Sequence, residues 1–133
     1  MISAVAVDTD VVSYLHKGDT RADLYRSHVD SKILLISFMT VAELERWVLV
    51  RKWGERRRHD LEVFLRRFTV IESDRELCKK WAATTQIARL AGMPIGTADA
   101  WIAATALLYG VPLVTHNKAD YAGVTGLNIV SEA

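Results

Sequence analysis

Short aliphatic and β-branched runs alternate along this chain with longer segments whose apolar residues recur every three or four positions. The runs are the mark of buried strands and the longer segments of amphipathic helices. Strands are expected at residues 2–7, with Ile2, Val5 and Val7, then at 33–37, 69–71, 111–115 and 127–130. A short helix over 11–15 should be capped by Thr9 or Asp10, and an amphipathic helix should cover 21–29 after the Gly18-Asp19 turn. Thr40 and Glu43 have capping-box spacing and open a helix that runs toward Gly54. Its partner runs from Glu55 to Arg67, with Leu61, Phe64, Leu65 and Phe68 as its apolar stripe. Asp74 can cap a long helix from Arg75 to about Leu90, which Gly92 ends. The last helix, Ala98 to Tyr109, follows the breakers Pro94 and Gly96, has Thr97 as its N-cap and stops at Gly110. It is small or apolar almost all round, so it is packed inside a domain, yet its first turn carries Asp99.

Strands alternating with helices predict an α/β fold with right-handed crossovers and a mainly parallel sheet covered on both faces. With 133 residues, half of them apolar, the chain is read as a single domain over 1–133 with a substantial core. A net charge of +1 names no partner. The one cysteine, Cys78, rules out an intrachain disulfide and a cysteine-based zinc site. It is expected on an apolar helix face, in keeping with a reducing cytoplasm. The opening residues read as strand rather than leader peptide, and no apolar run is long enough to cross a bilayer.

In a parallel sheet, ligands bind beyond the carboxyl ends of the strands. Asp8 directly follows the first strand, Glu43 lies in the first turn after the second, and Asp120 follows the fourth. Asp99 starts the helix that runs back into that fourth strand, so it too belongs at this edge. Each acid alone is accounted for as a cap, a dipole complement or a loop residue. Four carboxylates at one edge repel one another, and a divalent cation resolves the repulsion. Oxygen donors without a histidine or cysteine set favour Mg²⁺ or Mn²⁺ over zinc. Thr9, Thr40, Thr115 and Asn117 surround the acids and suit hydrogen bonds to a carboxylate or to water on the ion. Asp10 is read as a helix cap, and His116 as solvent-exposed.

Between Arg51 and Arg67 there are seven basic residues to three acids. Arg51, Lys52, Arg56, Arg57 and Arg58 are therefore candidates for holding a polyanion, with a solvated helix face as the plainer alternative.

These motifs resemble the PIN-domain family and, within it, the VapC-type ribonuclease toxins of bacterial toxin–antitoxin pairs. The matching pieces are Val7-Asp8-Thr9, Thr40-Val41-Ala42-Glu43-Leu44, Asp99 through Thr105, and Thr115-His116-Asn117-Lys118-Ala119-Asp120-Tyr121. The resemblance implies a three-layer α/β/α fold with a flavodoxin-like sheet. It assigns Asp8, Glu43, Asp99 and Asp120 to an acidic Mg²⁺ or Mn²⁺ site, Asp8 and Asp99 as ligands and the other two directly or through water. It also implies endonucleolytic cutting of single-stranded RNA regions, transfer RNA foremost, leaving 5′-phosphate and 3′-hydroxyl ends and inhibiting translation. A homodimer and a neutralising antitoxin come with it. Leu44, Trp47, Val48 and Phe64 are candidates for an antitoxin groove between helices. Asn117 is neutral where some PIN nucleases carry an acid, which leaves one or two metals open. Two other readings compete: a PIN fold that binds without cutting, and a phosphoacceptor signalling domain. The second lacks an adjacent acid pair after the first strand, since Thr9 separates Asp8 from Asp10, and its third strand leads to Glu72 instead of Asp.

Overall fold

The computed structural model describes residues 3–133. Five strands form one sheet in the order β3-β2-β1-β4-β5: β1 (Ala4–Val7), β2 (Ile33–Ser37), β3 (Phe68–Ile71), β4 (Leu113–Val114) and β5 (Ile129–Val130). Every pairing is parallel. Among the described residues six α-helices connect or flank the strands: α1 (Thr9–Lys17), α2 (Arg26–Val29), α3 (Phe38–Val50), α4 (Glu55–Leu65), α5 (Arg75–Leu90) and α6 (Thr97–Tyr109). None is long and apolar enough to cross a membrane. Ile2, expected in the first strand, lies outside the described residues.

Side chains of a strand alternate between its two faces, so β1 serves two cores. Val5 and Val7 pack with Val11, Val12, Ile36, Leu44, Val48 and Leu61 on the face covered by α1, α3 and α4. Ala6 packs with Ile102, Ala103, Ala106, Leu113 and Tyr121 under α6. The alanines of α6 let it approach the sheet closely, and α5 covers its other side, which is why α6 is apolar nearly all round. Each fully buried Val or Leu contributes about 1.5–3 kcal/mol.

Several expectations about helix ends are corrected. Asp8, rather than Thr9 or Asp10, is the N-cap of α1: its carboxylate accepts from the Thr9 amide at 2.7 Å. α3 starts at Phe38, with the Ser37 hydroxyl accepting from the Met39 amide at 3.0 Å, so Thr40 is a buried first-turn residue and no capping box forms. Thr97 is the first residue of α6, after Gly96. The expected helix over 21–29 splits into a 3₁₀ turn (Thr20–Leu24) and α2, broken at Tyr25. Tyr25 is fully buried, and its hydroxyl accepts the Glu132 amide at 3.0 Å, a tie that a continuous helix does not make. Cys78 is exposed, because α5 buries Leu77, Thr84 and Ala88, and the residue after Leu77 turns outward.

Candidate active site

The N-termini of α1, α3 and α6 meet at the carboxyl edge of the sheet, and the acids arrive with them. Asp8 directly follows β1 and is 5% exposed. Its Oδ1 accepts the Thr9 amide, and its Oδ2 accepts the hydroxyls of Thr115 at 2.7 Å and Tyr121 at 2.9 Å. Thr115 follows β4, and its own hydroxyl oxygen accepts the Asn117 amide at 3.0 Å. Tyr121, in the 3₁₀ turn Lys118–Tyr121, also points its hydroxyl at Asp99 Oδ1, 3.4 Å away. One phenol therefore touches two carboxylates from distant parts of the chain.

Glu43 is held from α1. The Thr9 hydroxyl donates to Glu43 Oε1 at 2.7 Å and stands 2.9 Å from the Thr40 hydroxyl. Thr9 has one proton and gives it to Glu43, so Thr40 donates to Thr9. Asp120 sits in the same turn as Tyr121. That segment is pressed against the approach to α6, since a Cβ at Gly123 would collide with the Met93 carbonyl oxygen. Asp99 and Asp120 share a groove of about 360 Å³ lined also by Met93, Gly96 and Gly123.

Burial and mutual repulsion act together on Asp8, Glu43 and Asp99. Burial pushes the Asp8 carboxyl up, against the three hydrogen bonds that favour its charge, and Asp120 adds to the rise. Asp99 is pushed up to about 6, first by burial and then by Asp8, Asp120 and Glu43. Burial raises Glu43 as well, with Thr9 opposing. The neighbouring Tyr121 phenol is raised by burial and by Asp8 and Asp99. Among the described residues none of these acids has a Lys, Arg or His ion-pair partner. Helix N-termini favour anions, but each such contribution is ordinarily below about 1 kcal/mol. The donor set is thus hard oxygen alone, graded from buried Asp8 through half-buried Glu43 and Asp99 to exposed Asp120, and short of positive charge, which fits Mg²⁺ or Mn²⁺. Of the four carboxylates Asp99 and Asp120 line the groove, and among the described residues no three His, Cys, Asp or Glu side chains are already drawn together as a metal cluster.

Asp10 is not a cap. Its Oδ1 accepts the Val11 amide, and its Oδ2 accepts the His116 amide at 3.0 Å and the Asn117 side chain at 2.9 Å. It ties α1 to the segment after β4, and burial and Asp8 push it up to about 7. Asn117 thus supports Asp10 through its side chain and Asp8 only through Thr115. His116 is half-buried rather than exposed, its Nδ1 lying 2.5 Å from the Tyr25 hydroxyl. Tyr121 carries no sequence signal of this role. It is 113 residues from Asp8, and no local spacing marks that contact.

The basic residues lie elsewhere. Arg51 and Arg57 line one side of α4, while Arg58 turns to the other and donates to the Trp53 carbonyl at 3.2 Å. Lys52 is exposed in the α3–α4 turn with φ of 53°, and Arg56 is exposed. Leu44 and Val48 are 4% exposed and belong to the core, so they offer little docking surface. Trp47 and Phe64 are the part-exposed members of that group.

A five-stranded parallel sheet with carboxylates gathered at its carboxyl edge is the frame of a PIN domain. The family's model matches residues 5–124, and the chain belongs to the PIN domain family. It is 28% identical over 123 residues to Ribonuclease VapC1 of Haemophilus influenzae (strain R2866), covering 91% of this chain and 92% of that protein. The fold matches VapBC-1 from nontypeable H. influenzae with a TM-score of 0.81 and 26% identity, over 96% of this chain and 97% of that one. It also matches VapBC2 from Rickettsia felis, bound there to a DNA fragment from their promoter, with a TM-score of 0.82 and 22% identity, over 96% and 98% of the two chains. Both of these structural neighbours are VapBC structures.

Proposed function

We propose that this chain is the ribonuclease toxin of a toxin–antitoxin pair and that it hydrolyses phosphodiesters of single-stranded RNA, transfer RNA foremost, with Mg²⁺ or Mn²⁺ as cofactor. The observation that carries this reading is the set of acids at one sheet edge, mutually repelling and, among the described residues, without a cationic partner. Asp8 and Asp99 would hold the ion, with Glu43 and Asp120 acting directly or through water. When bound, the ion lowers the pKa of water and offsets charge on the scissile phosphate.

The remaining work falls to the protein. Tyr121 and Thr115 fix the Asp8 carboxylate, and Tyr121 keeps Asp99 in register with it. Thr9, backed by Thr40, aims Glu43. The groove beside Asp99 and Asp120 gives a strand access from solvent. In-line attack leaves a 5′-phosphate and a 3′-hydroxyl. Cutting in the cytoplasm stops translation until the cognate antitoxin covers the toxin, for which the part-exposed Trp47 and Phe64 offer apolar purchase. The toxin works as a homodimer.

The test is cleavage of total cellular RNA by the purified, antitoxin-free chain in Mg²⁺, beside Asp99→Asn, with the ends mapped by sequencing. Discrete Asp99-dependent cuts bearing 5′-phosphates are expected. Folded, metal-loaded protein that makes no Asp99-dependent cut would identify a PIN fold that binds without cutting.

A further inference from the structure

An acidic site repels the polyanion it must cut, so affinity for the strand has to come from elsewhere. A cavity of about 730 Å³, twice the size of the groove at Asp99, lies where the C-terminal ends of α1 and α3 meet α4. Lys17, Arg51, Arg57 and Arg67 line it against one carboxylate, Asp60, with Trp53 and Phe64 in its wall. Arg57 lies over Trp53 at 5.4 Å from the ring centre and Arg67 over Phe64 at 5.2 Å. Arg51 and Lys17 lie over Trp47 at 5.2 and 5.9 Å. None of the four forms an ion pair among the described residues. Their charge is seated on aromatic rings and free for a ligand. Guanidinium planes and rings stack bases, and the same cations pair with phosphates.

α1 joins the Glu43 side of the acidic edge to the cavity. α1 begins at Thr9, bonded to Glu43, and ends at Lys17 in the cavity wall. A helix of that length rises about 12 Å, or roughly three to four phosphates at about 3.4 Å each along a stacked strand. We propose that this cavity is a remote anchor for the RNA substrate, gripping a nucleotide three to four positions from the scissile phosphate, with α1 as the spacer. The inference rests on the ribonuclease reading and specifies how that enzyme holds its strand.

The experiment measures binding of labelled, unstructured RNAs to the full-length Asp99→Asn chain, which does not consume them. Arg57→Gln and Arg67→Gln are each added to it. Both side chains are exposed, and a thermal melt checks that the fold persists. For an RNA of about 12 nucleotides, each change should weaken binding about tenfold. Each should also flatten the logarithmic salt dependence by about 0.7. Arg56→Gln, which removes the same charge from a position outside the cavity, should change binding by less than about twofold. Unchanged affinity and salt slope for the longer RNA would overturn the anchor. So would equal weakening by Arg56→Gln, which would reduce the effect to general charge. Tighter binding of polyglutamate than of RNA with the same charge would make the cavity a seat for an acidic protein segment instead. If the parent Asp99→Asn chain binds no RNA, the ribonuclease reading fails too; if it binds and the variants match it, only the anchor fails.

Discussion

The acidic edge and the basic cavity are built on opposite ends of the same two helices. The N-termini of α1 and α3 carry Asp8, Thr9, Thr40 and Glu43; their C-terminal ends carry Lys17 and Arg51. Asp8 at the start of α1, and Lys17 and Arg51 at the helix ends, sit where the helix dipole favours their charge, while Glu43 lies beyond the first turn of α3. The two regions differ in how firmly the side chains are held. Asp8 is buried and takes three hydrogen bonds, and Glu43 is aimed by a chain of two hydroxyls. The cations are exposed and held only by aromatic faces. Chemistry on a phosphate tolerates little misplacement, whereas holding a strand needs charge and some freedom of position. Salt should separate the two as well, since exposed charges are screened and buried ones much less so.

The largest effect should come from the edge. Asp99→Asn should lower RNA cleavage by at least about 10²-fold, the scale of losing a group that stabilises charge during reaction. It should not lower the melting temperature of the metal-free chain, because it removes a charge that Asp8, Asp120 and Glu43 repel. A substantial fall in melting temperature would mean that Asp99 is held for the fold instead.

Tyr121→Phe comes next. It takes one of the donors from Asp8 and leaves Asp99 without its hydroxyl neighbour. Loss of such a supporting contact typically costs about 10- to 100-fold in metal affinity or activity. The readout that separates positioning from stability is the Mg²⁺ concentration for half-maximal cleavage, which should rise. An unchanged Mg²⁺ requirement with a lower melting temperature would make Tyr121 a core residue only.

A smaller effect should appear in stability against pH. Asp99, near 6, and Asp10, near 7, both lie above the ordinary carboxyl range, so the folded chain binds protons more tightly than the unfolded one. Stability of the metal-free protein should therefore fall as pH rises from about 4 to 7.5, through these values. Mg²⁺ should counter this, raising the melting temperature most at the upper end, where the acids are ionised. Thermal melts at several pH values, with and without Mg²⁺, check both signs. A Mg²⁺ effect largest at low pH would break the link between the acids and the ion.

The edge was the more legible region in the sequence, and the reason is topological. Once strands and helices alternate in parallel order, any acid just after a strand, or just inside a helix that leads into one, lies at the carboxyl edge. Asp8, Glu43, Asp99 and Asp120 reach it whatever the details. Helix starts were less legible: Thr40 and Glu43 mimic a capping box, but Ser37 caps three residues earlier and frees Thr40 to bond Thr9. Tyr121 was not legible, since a hydroxyl reaching across 113 residues leaves no periodic trace. The basic region misled in a different way, because adjacent arginines in sequence read as one patch.

Arg56, Arg57 and Arg58 carry the smallest and sharpest comparison. They lie in the first turns of α4, where successive side chains point about 100° apart. Arg57 faces the aromatic cavity. Arg58 lines the groove on the other side of α4, with Glu55 and Glu62, and Arg56 lines neither. Arg56→Gln should therefore change RNA affinity by less than about twofold, the scale of a single exposed charge contact. Arg57→Gln should change it by about tenfold. The two variants have the same net charge, so the difference isolates position from charge. Equal effects would mean that RNA responds to the summed charge of α4, and the distinction between a built cavity and a solvated helix face would collapse.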